Sequence, residues 1–339
     1  MASSRAGVHV VWRESEIHPD MSGLLAAKRA VPNSTDPEVL RRAWEEYAAR
    51  MQRPYPPGMA VSDISLLTPG AGRAGTVPIR LYRPAGANAI SPGIVYLHGG
   101  AFTKGNLESG DPVAWGIADF TGLVVVSADY RLAPEHPFPC GVEDCYAVLL
   151  ALSKHGGDYG IDGKRLGVWG DSAGGNMAAA VCLMARDRGE PLIRAQALNY
   201  ACLTDDLSAP CYRLYADSPV PTASIDHAWN LYLGPRRPTA DGYAAPLKAR
   251  DLRNLPPAHV HLAEFDCLAD DSRAYADRLN QAGNEVVLRT APRMIHGYLR
   301  ARFFGPDALA EFAAPCAFLK RHLTCGRVAG TAETGVAAC

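Results

Sequence analysis

The sequence predicts an α/β fold, a mostly parallel central sheet flanked by helices on both faces. Three observations carry the prediction. From Gly93 onward, short apolar runs alternate with helical stretches, the rhythm of strands joined by crossover helices. A run such as Leu123-Val-Val-Val-Ser127 is apolar nearly throughout, as a strand covered on both sides requires. The run ending at Trp169 passes through Gly170-Asp-Ser172-Ala-Gly174 into an Ala-rich stretch, which reads as strand, tight turn and helix. Right-handed crossovers place the strand-to-helix loops at one edge of such a sheet, where ligands bind.

Each element follows in order. Residues 1–55 read as helical, with 22–30 and 36–51 the best segments. Asp36 can cap the second, and Pro37 sits where a missing N–H costs nothing. Leu40, Trp44, Tyr47 and Met51 share one face, a stripe that must cover something. At Val61 the period becomes that of strands, and 64–67 with 77–82 suggest an antiparallel pair. Buried strands at 93–97 and 123–127 end in His98-Gly-Gly-Ala-Phe102 and Asp129-Tyr-Arg-Leu-Ala-Pro-Glu-His-Pro137. A helix at 140–155 leads to the strand before Ser172, and further strands are expected at 194–200, 257–265 and 285–290. Helices are expected at 270–282 and 306–323. Residues 204–249, with a helix at 224–233, are too long for a connection and read as an insertion over the ligand edge. The organisation is therefore an N-terminal helical segment 1–55, a main domain 56–323 carrying that insertion, and a disordered tail 324–339.

Composition narrows the function. The chain has 339 residues, 48% of them hydrophobic and 20% charged, with a formal net charge of -1, a profile that disfavours nucleic acid or an anionic membrane as the main partner. No apolar run approaches the roughly 18 residues of a membrane span, and the N-terminus lacks the apolar core of a secretory signal, so a cytoplasmic location is expected. The nine cysteines are odd in number and form no Cys-x-x-Cys pair, which argues against disulfides and structural zinc. No dinucleotide fingerprint or phosphate loop is present, so no cofactor and no metal are expected.

The turn at Ser172 is the chemical centre. A serine hydroxyl becomes a nucleophile when a sharp turn exposes it beside a base and beside N–H groups that hold an oxyanion. Gly170 and Gly174 leave room for that turn. Gly-x-Ser-x-Gly arises by chance about 0.1 times in a chain of this length, so its strand-and-helix context decides the reading. Of ten histidines, His296 stands just beyond the last strand, where a base is needed, whereas the others fall inside elements, in turns or at termini. Asp266 stands at the end of its strand and is the better orienting acid, while Asp270 and Asp271 come later as caps for the next helix. The N–H groups of Gly99, Gly100 and Ala101, with that of Ala173, can form an oxyanion hole, and His98 braces the loop.

With His98-Gly-Gly, Tyr130-Arg-Leu-Ala-Pro-Glu-His-Pro137, Gly170-Asp-Ser-Ala-Gly-Gly175, Asp266 and His296-Gly297 assembled, the chain resembles the hormone-sensitive-lipase family of α/β-hydrolase esterases from about residue 77 to 323. The order Ser172, Asp266, His296 is the α/β-hydrolase order. The resemblance implies carboxylic-ester hydrolysis on a small-molecule substrate without a cofactor, under a helical cap made of residues 1–55 and 204–249. Two departures stand out: Ala101 replaces the last glycine of His-Gly-Gly-Gly, and Cys267 replaces the proline that usually follows the acid. A pocket roofed by the cap is expected to draw its lining from Met21, Leu24, Phe102, Tyr212, Tyr215 and Trp229. The apolar edge strand at 285–290 suggests a homodimer. Two rival readings remain, an amidase or deacetylase on the same triad and a non-catalytic binder on the same fold.

Overall fold

The structure, a computed structural model, describes residues 13–32 and 34–325. The first twelve residues of the expected cap and the tail beyond Cys325 lie outside them. The N-terminal helices are α1 (Ser22–Lys28) and α2 (Pro37–Met51). Asp36 caps α2 through Oδ1, which accepts from the Glu38 N–H at 2.9 Å. Strands β1 (Ala60–Leu67) and β2 (Thr76–Arg83) pair antiparallel, and then come β3 (Ser91–Leu97), helix α3 (Leu107–Thr121), β4 (Val124–Ala128) and α4 (Cys140–His155). The central strand β5 (Ile161–Asp171) feeds α5 (Ala173–Arg188), followed by β6 (Ile193–Asn199). The insertion carries the short α6 (Pro210–Leu214) and α7 (Thr222–Leu233). Strand β7 (Ala258–Phe265), α8 (Ala269–Gln281), β8 (Val286–Ile295) and α9 (Pro306–Thr324) follow.

The eight strands of the described residues lie in the order β1-β2-β4-β3-β5-β6-β7-β8. β2 runs antiparallel to β4, and every pairing from β4 through β8 is parallel. Side chains alternate between two cores. Val95, Leu97, Val126 and Val168 face Leu149, Leu152, Val181 and Leu279 of α4, α5 and α8. Ile94, Tyr96, Val125 and Trp169 face Tyr47, Val113, Ile117, Phe312 and Leu319 of α2, α3 and α9. Each such side chain taken fully out of water contributes about 1.5–3 kcal/mol, so this two-sided burial is what holds β3 and β5 at the centre. Their C-terminal ends, Leu97 and Asp171, therefore sit side by side.

Two elements differ from the sequence expectation. Helix α3 is missing from the sequence expectation because Gly110, Pro112 and Gly116 break up a stretch whose apolar residues Val113, Ile117 and Phe120 do recur at helical spacing. It forms because Asn106 and Ser109 make a reciprocal capping box. Pro112 cannot donate to the Glu108 carbonyl, and the Gln52 Nε2–H donates there instead at 3.1 Å. Strand β8 continues five residues past the expected stop at Thr290, through Pro292. An edge strand tolerates a proline whose missing N–H would have faced solvent. That extension delivers the chain directly to His296.

Candidate active site

The turn after β5 is strained where the chemistry needs it. Ser172 has φ 57° and ψ -120°, a conformation that costs a non-glycine residue on the order of 1–3 kcal/mol. The turn can close only over glycine. A Cβ on Gly170 would lie 2.0 Å from the Gly174 carbonyl oxygen, and one on Gly174 would lie 1.9 Å from that of Leu97. The Ser172 N–H donates to the Asn199 carbonyl at 2.9 Å, which pins the apex against the end of β6.

The three residues singled out for the triad meet here. His296 Nε2 lies 2.9 Å from Ser172 Oγ, and Nδ1 lies 2.7 Å from Asp266 Oδ2. A carboxylate only accepts, so Nδ1–H donates to Asp266, and Nε2 is left to accept the Ser172 hydroxyl proton. Asp266 is fully buried, while Ser172 and His296 are 8% and 7% exposed, enough for a substrate to reach the serine but not for bulk water to screen the pair. Asp266 Oδ1 accepts the Leu268 N–H at 3.1 Å, so both carboxylate oxygens are held. Asp270 and Asp271 turn away from His296 toward the insertion. Asp270 accepts the Cys211 N–H at 2.9 Å and pairs with Arg273. Asp271 accepts the Leu203 N–H and the Tyr212 hydroxyl, both at 3.0 Å, and burial pushes its pKa up to about 8.

The glycine loop is braced from behind. Asp171 Oδ1 accepts the Tyr96 hydroxyl at 2.7 Å and the Gly99 N–H at 3.3 Å, tying the loop to the turn. This corrects the expected oxyanion hole in one respect, because the Gly99 amide is already engaged. The N–H groups of Gly100, Ala101 and Ala173 have no hydrogen-bond partner among the described residues. Gly100, at φ 147°, must be glycine, since a Cβ would lie 1.9 Å from the Lys104 carbonyl oxygen. The His98 ring stacks on Tyr130 with centroids 4.4 Å apart, and burial lowers its pKa to about 4. Cys267, where a proline was expected after the acid, donates Sγ–H to the Val220 carbonyl at 3.4 Å and links the acid turn to the insertion.

The expected pocket lining is largely corrected. Phe102 stacks on Tyr232 at 4.1 Å and leans on Trp229, and Phe102, Tyr212 and Trp229 are at most 2% exposed. Met21 and Leu24 are fully buried as well. Side chains so enclosed serve as core and offer a substrate no surface, whereas Tyr215 alone of the six is partly exposed. Residue type and position could not separate an aromatic wall from an aromatic core. Asp171 and Tyr96 escaped the sequence reading altogether. The available signal was an acid placed at the end of a strand buried on both faces, which needs partners.

The chain is similar to known proteins over most of its length. Residues 94–300 match a family model described as the alpha/beta hydrolase fold. Carboxylesterase NlhH of Mycobacterium tuberculosis is 38% identical over 251 residues, covering 73% of this chain and 79% of that protein. Ethyl acetate hydrolase of Pseudomonas putida is 31% identical over 320 residues, covering 91% of this chain and 99% of that protein. The crystal structure of a thermostable esterase from Pseudomonas putida ECU1011 superposes with a TM-score of 0.84 at 28% identity, covering 95% of this chain and all of that one. This chain belongs to the α/β-hydrolase family, to its hormone-sensitive-lipase-like branch, and is a carboxylic ester hydrolase.

Proposed function

We propose that the chain hydrolyses short- to medium-chain carboxylic esters by two-step acyl transfer through Ser172. His296 takes the serine proton as Oγ attacks the ester carbonyl, and the N–H groups of Gly100, Ala101 and Ala173 hold the oxyanion. The imidazolium then protonates the departing alcohol. In the second step His296 activates water, which releases the acid and restores the serine. Asp266 keeps the proton on Nδ1 throughout. The observation that carries this reading is the unbroken relay from Asp266 through His296 to Ser172 beside three unspent amides. A burst of p-nitrophenol from p-nitrophenyl acetate tests it, and an enzyme that binds the ester without releasing phenol would be a binding protein instead. A panel of matched esters and amides separates the esterase from an amidase or deacetylase.

Chain-length preference follows from the cap. Arg41 of α2 fastens it by a bidentate pair with Glu135 and by donating to the Thr103 and Ala133 carbonyls at 2.9 and 3.1 Å. Each methylene added to the acyl chain gains about 0.8 kcal/mol only while it still fits under that roof. kcat/KM is expected to climb from acetate to butyrate or hexanoate and fall beyond. Deleting residues 1–45 should flatten the profile and lower Tm, because Tyr47 and Met51 lose their cover. A preference for palmitate would show that the cap does not set specificity.

The working form we propose is a two-fold dimer across β8, in the cytoplasm. β8 lies at the sheet edge with Val287 39% and Leu288 44% exposed, an apolar edge that pairs unless blocked. Sedimentation at micromolar concentration should find twice the 36.2 kDa chain mass, and a monomer alone would refute the dimer. Among the described residues no helix is long and apolar enough to cross a membrane. Cys140, Cys145, Cys182, Cys202, Cys211, Cys267 and Cys316 are all thiols, which suits a reducing compartment.

A further inference from the structure

Three cations gather around the triad, and none of them forms an ion pair among the described residues. Lys28, in the last turn of α1, reaches the residue after the catalytic histidine, so that a Cβ on Gly297 would lie 3.6 Å from its Nζ. Lys104 closes the oxyanion turn, its N–H donating to the Gly100 carbonyl at 3.0 Å. The Lys104 ammonium sits over the Trp44 ring at 5.4 Å, and the Arg300 guanidinium lies over the same ring at 5.6 Å. Arg300 is 2% exposed and donates one N–H to the Ser109 carbonyl at 2.7 Å. Its Nη2 is buried with no acceptor, and so is Trp44 Nε1. Neither lysine ammonium has a hydrogen bond or an ion pair among the described residues, although both are only half-exposed.

The nearby acids are already engaged. Against Lys28, Lys104 and Arg300 stand two buried acids, and both are spent: Asp171 on Tyr96 and Gly99, Asp266 on His296 and Leu268. Glu45, Glu108 and Glu135, on neighbouring elements, are engaged by Asn106, Arg80 and Arg41. Burial pulls the pKa of each lysine down to about 8, and Lys28 feels Arg300 and Lys104 against it and Asp266 in its favour. What remains is a cluster of donors in which neither ammonium nor Arg300 Nη2 has an acceptor among the described residues. Its complement is a single anion with several acceptor oxygens.

We propose that Lys28, Lys104 and Arg300, with Trp44, form an anion subsite of the ester-binding site, and that the preferred substrate is a small ester bearing a carboxylate. The inference rests on the serine-esterase reading above and names the substrate class of that site. The carboxylate can belong to the acyl half, as in a half-ester of a short dicarboxylic acid, or to the alcohol half, as in an acylated short hydroxy acid. Two matched pairs distinguish these. Mono-ethyl succinate is compared with ethyl 4-methylpentanoate, and 3-acetoxypropanoate with 3-methylbutyl acetate. In each pair an isopropyl group replaces the carboxylate with little change in shape.

The readout is the ratio of kcat/KM, anionic to neutral, within each protein preparation, so that partial misfolding cancels. In at least one pair the ratio is expected to reach about 10 or more at low salt, falling toward 1 in 0.5 M NaCl as charges are screened, at roughly the salt where the Debye length shrinks to a few Å. Lys28→Met and Lys104→Met should each lower it several-fold, and Lys28→Glu should carry it below 1. Ratios at or below 1 in both pairs, with the neutral esters turned over, would overturn the subsite and leave the esterase reading standing. A high ratio that neither lysine variant moves would overturn the assignment to these residues. Failure on all four esters and on p-nitrophenyl acetate would overturn the esterase reading and this inference with it.

Discussion

Ser172→Ala is expected to lower kcat for p-nitrophenyl esters by on the order of 10⁶ while leaving the fold intact, since triad members act as a unit and losing the nucleophile forfeits the whole relay. Stability should hardly change. The Ser172 side chain makes no capping bond to α5, and among the described residues its hydroxyl hydrogen-bonds only to His296. Alanine is no worse than serine at φ 57°, because both carry a Cβ. Circular dichroism and Tm report the fold, and single-turnover kinetics report the chemistry. A variant that retains more than about a thousandth of the activity would mean that another nucleophile operates.

Asp266→Asn should cost roughly 10⁴ in kcat, for a reason visible in the geometry. One oxygen of Asp266 accepts the Leu268 N–H, so an asparagine there would keep its carbonyl on that side. Its NH₂ would then face Nδ1 of His296 and force that nitrogen to accept. The imidazole proton would move to Nε2, where it blocks uptake of the serine proton. Asp270→Asn is the matched control. It keeps an acceptor for the Cys211 N–H and loses only a partly exposed pair with Arg273, worth about 0.2–1 kcal/mol. Its kcat should stay within a few-fold of the parent enzyme. If Asp270→Asn proved the crippling change and Asp266→Asn the mild one, the relay would have to run through a different acid.

The strands around the site could be read from the sequence because a doubly covered strand must be apolar where it is covered, as β3, β4 and residues 166–169 of β5 are. Helix α3 could not. Its Gly110 is small because a Cβ would lie 3.0 Å from the Tyr96 ring, and its Gly116 because a Cβ would lie 2.6 Å from Arg302 Nη2. Those demands come from residues distant in the chain, and local propensity cannot register them. The length of β8 was hidden similarly, since only its place at the edge makes Pro292 acceptable.

The sequence by itself determined the fold class, the turn that holds Ser172 and the order of the three relay residues. Each of these follows from chain-local rules: periodicity, glycine spacing and position after a strand. The tertiary structure alone decided which amides stay unspent, which aromatic residues are core, and where the unpaired cations gather. Gly99 looks like its neighbours until Asp171 is seen to accept its N–H. Phe102 and Trp229 look like a pocket wall until Tyr232 is seen packed against both. Lys28 and Lys104 are separated by 76 residues and become electrostatic neighbours only because α1 folds back onto the loop after His296. Hydrogen-bond satisfaction, burial and charge balance are properties of neighbours in space, and the chain specifies those neighbours only once it has folded.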